Sequence, residues 1–99
     1  MIIRVFRPRI LPDKLNEFER FLHEIAVPMV KAQKGMVSVM LGKPLEPNDH
    51  DFLVITVWES LEALKAFTGE AWKSPVLDPA EDGLLMETFL DHFSLIEGG

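Results

Sequence analysis

The chain contains 99 residues, with 10 Lys and Arg side chains against 16 Asp and Glu side chains, and its net charge of −6 argues against nucleic acid or an anionic membrane as its main partner. Apolar residues make up 47% of the chain, which predicts a folded protein with a single domain over residues 1–99. Cysteine is absent, which excludes disulfides, thiolate metal sites and a cysteine nucleophile. No apolar run approaches the ~20 residues that span a bilayer. No signal-peptide pattern opens the sequence, so we expect the protein in the cytoplasm.

The first third of the sequence predicts a strand followed by a helix. Alternation over residues 1–9 assigns Ile2, Arg4 and Phe6 to one face of the strand, and Ile3, Val5 and Arg7 to the other. Apolar residues then recur every three or four positions from Leu15 to Met29, which is typical of a helix. We expect Asp13 to cap this helix, Pro28 to kink it and Gly35 to end it.

The rest of the sequence predicts strands at residues 36–43, 53–58 and 84–96, with one further helix. Alternation in the second strand groups Val37, Val39 and Leu41 on one face and Met36, Ser38 and Met40 on the other. The third strand is apolar except at Thr56, so it is expected to be buried on both faces. Ser60 is a suitable N-cap for the second helix, and Gly69 a suitable end. Residues 70–83 predict a surface connection with a short helical turn near residues 71–73.

This order of elements, β-α-β-β-α-β, predicts an α+β, ferredoxin-like fold with a four-stranded antiparallel sheet. Both helices lie on one face of such a sheet, because the crossovers are right-handed. The strands are nevertheless apolar on both faces, and a large exposed apolar surface usually marks an interface. We therefore expect a homodimer in which the sheets of two subunits meet face to face.

Residues 57–67, VWESLEALKAF, resemble the W-x-S/D-x-x-A-L/I-x-x-F/H signature of antibiotic biosynthesis monooxygenase (ABM) domains. These domains belong to the dimeric α+β barrel superfamily. Residues 67–77 and 84–96 also resemble an ABM-like subgroup with F-x-G-E after the second helix and a histidine–aromatic pair, here His92 and Phe93, in the last strand. The resemblance implies a cofactor-independent monooxygenase acting on a small aromatic or polyketide-like substrate of the anthrone or quinol type. A non-catalytic dimeric barrel that binds a small hydrophobic ligand, and an isomerase or lyase on the same scaffold, remain open alternatives.

The sequence departs from the heme-degrading relatives, which use a first-strand asparagine, a tryptophan on the second helix and a histidine shortly after it. Here Asn16 and Asn48 both lie outside the predicted strands, and Phe67 takes the aromatic position on the helix. Heme degradation is therefore not expected. No metal is expected either, because Asp49, His50 and Asp51 are consecutive loop residues without an evident fourth ligand.

Three residues are candidates for catalysis. His92 lies among apolar neighbours in the last strand, where a neutral imidazole could move a proton; the alternative is a hydrogen-bonded core histidine. Arg4 and Arg7 could hold an anionic substrate oxygen, because a guanidinium matches carboxylates and enolates. Ion pairs from these arginines to Glu87 or Asp91 on the neighbouring strand are the favoured alternative. The expected substrate-binding residues are apolar or aromatic: Phe18, Leu22, Trp58, Phe67 and Trp72.

Overall fold

Four antiparallel strands form one sheet in the computed structural model, which describes residues 1–98. The strands are β1 (Ile2–Ile10), β2 (Met36–Gly42), β3 (Leu53–Trp58) and β4 (Leu85–Ser94). They lie in the order β2-β3-β1-β4, with helical segments between β1 and β2 and between β3 and β4. This arrangement confirms the predicted α+β, ferredoxin-like fold.

The first helical layer is irregular, as Pro28 predicts. It consists of a 3₁₀ turn (Pro12–Lys14), α1 (Leu15–Phe21), a π-helical turn (Leu22–Ala26) and α2 (Val27–Lys31). Pro28 has no N–H for a helical hydrogen bond, and the wider π-helical turn directly precedes it. The prediction that Asp13 caps the helix is wrong, because Asp13 lies inside the 3₁₀ turn and no side chain caps α1.

The second helical layer begins and ends as predicted. In α3 (Leu61–Thr68), the Ser60 hydroxyl accepts a hydrogen bond from the Ala63 N–H at 3.1 Å, and Gly69 follows with a φ of +82°. The expected helical turn near residues 71–73 is a single hydrogen-bonded turn, and a 3₁₀ helix (Pro79–Leu84) forms later. None of the helices among residues 1–98 has the length and apolar character needed to cross a bilayer.

Gly35 brings the two helical layers together at one end of the sheet. Its φ is +84°, and a Cβ at this position would lie 2.6 Å from the Cβ of Ala63 on α3. The Gly35 carbonyl also accepts a hydrogen bond from the Glu59 N–H at 2.8 Å. Only glycine combines this backbone conformation with such a close approach.

The helices pack on one face of the sheet, here called the covered face. The side chains of Ile10, Phe18, Trp58 and Leu64 are fully buried between this face and the helices. A β-bulge shifts the register between Met36 and Ser38, so that Met36 pairs with Trp58 and Val39 with Thr56. Met36 therefore shares the covered face with Val39, and the opposite faces that alternation predicts for them are wrong.

The other face of the sheet, here called the open face, has no helix over it among residues 1–98. Paired positions place Ile3 beside Val57 and Phe93, and Val5 beside Ile55 and Asp91. Phe93 is 54% exposed and Met40 on β2 is 65% exposed. An apolar sheet face of this extent is typical of an interaction surface.

Candidate functional site

A small cavity of about 70 Å³ lies between the covered face and the helices. Its apolar lining comes from the sheet, both helical layers and the connection after α3: Phe6, Phe21, Leu22, Ala26, Met29, Val30, Val54, Trp58, Phe67, Pro75 and Val76. Arg4, Thr56 and Glu81 add polar groups. This composition is that of a small-molecule site, although the cavity is smaller than the ~300–1,000 Å³ usual for such sites.

Arg4 of β1 is the most unusual residue in this lining, because it is 6% exposed and forms no ion pair with any of residues 1–98. Its Nη1 donates to the carbonyl oxygen of Trp72 at 2.7 Å, and its Nη2 donates to the carbonyl oxygen of Ser74 at 3.2 Å. Within residues 1–98, no carboxylate lies within 4.0 Å of the guanidinium. Burial lowers the pKa of Arg4 to about 10. The cavity therefore contains a cation for which residues 1–98 supply no anionic partner.

His92 lies beside Arg4 because the two residues are directly paired between β1 and β4. The Arg4 Nη1 lies 2.9 Å from the His92 Nε2. Arginine can only donate, so Nε2 is the acceptor and the imidazole proton belongs on Nδ1. Burial, and then the charge of Arg4, hold the pKa of His92 below its ordinary value of 6.5. His92 is thus a neutral imidazole whose Nε2 lone pair is already engaged.

Trp72 joins this group from the connection that follows α3. Its ring meets the His92 imidazole edge to face, with centroids 4.8 Å apart, while its carbonyl accepts from Arg4. Arg4 therefore fixes the backbone of residues 72–74, directly before Pro75 and Val76 of the cavity lining. The connection after α3 and the Arg4 guanidinium therefore hold each other in position.

The wall formed by β3 and α3 is rigid and aromatic. The Trp58 side chain is fully buried and stacks on Phe67, with centroids 5.3 Å apart and an angle of 18° between the rings. The Trp58 Nε1 donates to the Thr56 hydroxyl at 2.9 Å. The Thr56 hydroxyl thus has its own proton available for another acceptor.

Glu81 is a second buried charged residue, at 4% exposure, and it lies in the 3₁₀ helix before β4. Its Oε1 accepts from the Asp78 N–H at 2.9 Å, and Asp78 in turn accepts from the Ala80 N–H at 2.8 Å. Desolvation is the largest cause of a Glu81 pKa above its ordinary value of 4.5; the Asp78 charge raises it further, and the backbone hydrogen bond opposes both. The sequence analysis missed this residue, although Asp78-Pro79-Ala80-Glu81 has the spacing of a capping box.

Arg7, the third catalytic candidate, lies on the open face and not at the cavity. Its Nη1 donates to Asp51 at 2.5 Å, and its guanidinium lies 4.2 Å from the centroid of the Phe89 ring. Arg9 binds the same carboxylate at 2.8 Å and reaches Glu87 at 3.2 Å. Arg7 is thus part of an exposed charged group on the sheet.

The expected ion pairs from Arg4 or Arg7 to Glu87 or Asp91 are absent among residues 1–98. Arg4 faces the helices, whereas both acidic residues lie on the open face. Arg7 shares their face but binds Asp51, which the loop after β2 places beside β1.

The expected substrate-binding residues lie in three different places in the structure. Leu22, Trp58 and Phe67 line the cavity together with Arg4. Phe18 instead packs in the core against Phe21 and Phe52, with centroid distances of 5.8 and 5.0 Å. Trp72 contacts His92 beside the cavity.

A family model described as antibiotic biosynthesis monooxygenase matches residues 1–72. No curated protein sequence matches the chain significantly. Solved structures with the same fold include a Nitrosomonas europaea protein assigned to the antibiotic biosynthesis monooxygenases. It superposes with a TM-score of 0.77 at 11% identity, over 98% of this chain and 100% of that chain.

The heme degrader MhuD of Mycobacterium tuberculosis, solved with two hemes bound in its active site, superposes with a TM-score of 0.70 at 20% identity. This match covers 100% of the present chain and 99% of MhuD. A Pseudomonas aeruginosa protein gives a TM-score of 0.72 at 16% identity, over 97% and 94% of the two chains. At these identities the similarity establishes the fold and leaves the chemistry to the residues of the cavity.

Proposed function

Because the chain belongs to the antibiotic biosynthesis monooxygenase family, we propose that it is a cofactor-independent monooxygenase for a small aromatic or polyketide-like substrate of the anthrone or quinol type. In this chemistry, base removes a proton from the substrate and the resulting carbanion reduces O₂. For an anthrone, the CH₂ group and O₂ give a C=O group and one molecule of water, so atoms and electrons balance. The protein must supply a base, a partner for the oxyanion and a cavity that excludes water.

The observation that carries this proposal is Arg4, a buried guanidinium at an apolar cavity that has no carboxylate partner in the described part of the chain. An uncompensated buried charge is costly, so its position calls for an anion that completes the site. The enolate or phenolate oxygen of an ionised anthrone or quinol is such an anion. Arg4 would stabilise it more strongly here than in water, because the surroundings are apolar.

In this proposal, His92 positions Arg4. Its Nε2 accepts from the guanidinium, and the carbonyls of Trp72 and Ser74 accept from two further N–H groups, so that the remaining N–H groups are left for the substrate oxygen. Leu22, Trp58 and Phe67 bind the aromatic body of the substrate. The cavity of about 70 Å³ is too small for several fused rings, so in this proposal the connection that contributes Pro75 and Val76 moves outward when the substrate binds.

Heme, which the Mycobacterium tuberculosis protein binds, does not fit these residues. The part of the cavity lining that the structure describes contains no histidine, and the nearby His92 Nε2 accepts from Arg4. An axial ligand for heme iron would have to be supplied by a different arrangement.

We further propose that the protein acts in the cytoplasm as a homodimer, with the open faces of two sheets in contact. Ile3, Val57 and Phe93 form an apolar strip across three strands of this face. A second copy would remove this strip from water, and each fully buried side chain of this kind contributes ~1.5–3 kcal/mol.

The test is O₂ uptake with a panel of anthrones and quinols, comparing the wild-type protein with Arg4→Gln. We expect the substitution to lower the rate ~100-fold or more, the usual effect of losing one oxyanion donor. Arg20→Gln removes the same charge from an exposed position on α1 and should leave the rate unchanged. Unfolding curves of each variant check that it is folded. Full activity in Arg4→Gln would remove Arg4 from the mechanism.

A second candidate, a non-catalytic barrel that binds a small hydrophobic ligand, is favoured by the small volume of the cavity. In that case no member of the panel supports O₂ uptake. A single-ring aromatic compound such as toluene would still raise the melting temperature of the protein, since a ligand that binds only the folded state stabilises it.

A further inference from the structure

Among residues 1–98, three polar side chains are buried: Arg4, Thr56 and Glu81. They come from β1, β3 and the 3₁₀ helix before β4, yet all three line the same cavity. Buried polar side chains are costly unless they are partnered, and three separate elements contribute them to one small space. This convergence indicates a chemical role for the group.

The capping box uses only one of the two oxygens of the Glu81 carboxylate. Oε1 accepts from the Asp78 N–H, and no other hydrogen bond of this carboxylate is present in residues 1–98. No buried polar side-chain atom in the same residues lacks a partner. The second carboxylate oxygen is therefore not fully buried, and Glu81 is one of the residues that line the cavity.

Capping does not require a charged residue at this position. A glutamine fills the same place in a capping box, because its amide oxygen accepts the same backbone hydrogen bond. A carboxylate is harder to bury than an amide, and desolvation accordingly raises the Glu81 pKa. The Asp78 charge raises the pKa further. Arg4 is the other charged residue of the cavity lining, and α1 contributes the apolar Phe21.

We propose that Glu81 is the proton acceptor of this site and that Arg4 holds the oxyanion formed when Glu81 removes a substrate proton. The proposal rests on the function inferred above. For an anthrone, the C–H bond breaks, its electron pair remains on the substrate as the enolate, and the proton moves to the free oxygen of Glu81. The Thr56 hydroxyl, which already accepts from Trp58, can donate its proton to the same oxyanion. His92 is less suited to this step, because its Nε2 accepts from Arg4.

The experiment separates proton removal from oxygenation. Anthrone is mixed with the protein without O₂, and the absorbance of the anthrolate anion is followed over a range of pH. We expect the wild-type protein to form anthrolate, and Glu81→Gln, which keeps the capping hydrogen bond, to do so ~100-fold more slowly. Glu24→Gln, at an exposed position of the π-helical turn, should behave as wild type. The wild-type rate should rise with pH through the raised pKa of Glu81, and this rise should be absent in Glu81→Gln.

O₂ is then admitted to the same samples. In one outcome, the wild-type protein forms anthrolate, Glu81→Gln does not, and no O₂ is consumed. This result supports Glu81 as the proton acceptor and contradicts the oxygenase function. Equal anthrolate formation and equal O₂ uptake in both proteins overturn the assignment of Glu81 and leave the oxygenase function intact. A wild-type protein that forms no anthrolate also overturns the assignment.

Discussion

Arg4 and Arg7 belong to the same strand, three positions apart, and have opposite environments. Arg4 is 6% exposed and donates to two carbonyls and an imidazole, and burial lowers its pKa to about 10. Arg7 has a 44% exposed side chain and an ion pair with Asp51, which Arg9 shares. The pKa of Arg9 is raised, first of all by its hydrogen bond to that carboxylate.

This difference distinguishes Arg4, which we propose holds the substrate oxyanion, from the exposed arginines of the open face. Exposed ion pairs contribute ~0–1 kcal/mol each, so the charged residues Arg7, Arg9 and Asp51 could be exchanged with little effect on the folding of the chain. Burying a guanidinium without a counter-ion costs several kcal/mol. Arg4 persists in β1 despite that cost, which is why the cavity side of the sheet is the place to look for activity.

The largest expected effect tests the open face as an interface. Phe93→Glu places a carboxylate in the proposed sheet contact, twice in a two-fold dimer. We expect the wild-type protein to sediment at twice the 11.3 kDa of one chain, and the variant to associate at least ~100-fold more weakly, or about 2.8 kcal/mol.

Ile25→Glu is the control for this experiment, because Ile25 is also apolar and exposed, at 38%, but lies in the helical layer. It should leave the dimer intact. A wild-type protein that sediments as a single chain at micromolar concentration would show that the open face is not a self-association surface.

Local patterns in the sequence were enough to predict the fold. Alternation over β1, the Ser60 cap and the Gly69 end are properties of neighbouring residues, and the structure contains these three features. The resemblance carried by residues 57–67 is likewise confirmed by the family match. The bulge at Met36 was not predictable, because an extra residue in a strand leaves the apolar pattern nearly unchanged.

The candidate site was only partly predictable, because it depends on contacts between distant segments. Arg4 and His92 are 88 positions apart, and their pairing requires the register of β1 and β4. Asp51 binds Arg7 and Arg9 only because its loop returns to β1. In the sequence, Glu81 has only the position of an ordinary capping residue. Its burial at the cavity results from the packing of distant segments and becomes evident only in the structure.

A smaller effect tests the environment of Arg4 through pH. The folded-state pKa of His92 lies below 6.5, so the unfolded chain binds the proton more readily. The stability contribution of neutral His92 is present above 6.5 and is lost as pH falls through the folded-state pKa. Urea unfolding should therefore show that the free energy of unfolding of the wild-type protein decreases as pH falls from 6.5 through the folded-state pKa of His92. His92→Gln should remove that decrease. His23→Gln, at an exposed position, should retain it. An NMR titration that places the His92 pKa at or above 6.5 would contradict the contact with Arg4.

The smallest effect is expected at the charged group of the open face. Asp51→Asn weakens the contacts with Arg7 and Arg9, whose side chains are 44% and 39% exposed, so the free energy of unfolding should fall by less than ~1 kcal/mol at about pH 7. The hydrogen bond from Arg9 is the largest cause of an Asp51 pKa below 3.8; its contribution is present above that value and disappears as pH falls through the folded-state pKa. The free energies of unfolding of wild type, Asp51→Asn and the exposed loop control Asp49→Asn, measured in urea, should thus converge in acid. They should also converge in high salt, because salt screens exposed charges. A loss of several kcal/mol in Asp51→Asn would show that the proposed contact between the two open faces extends over this charged group, and that the two arginines differ less than their exposures in the single chain indicate.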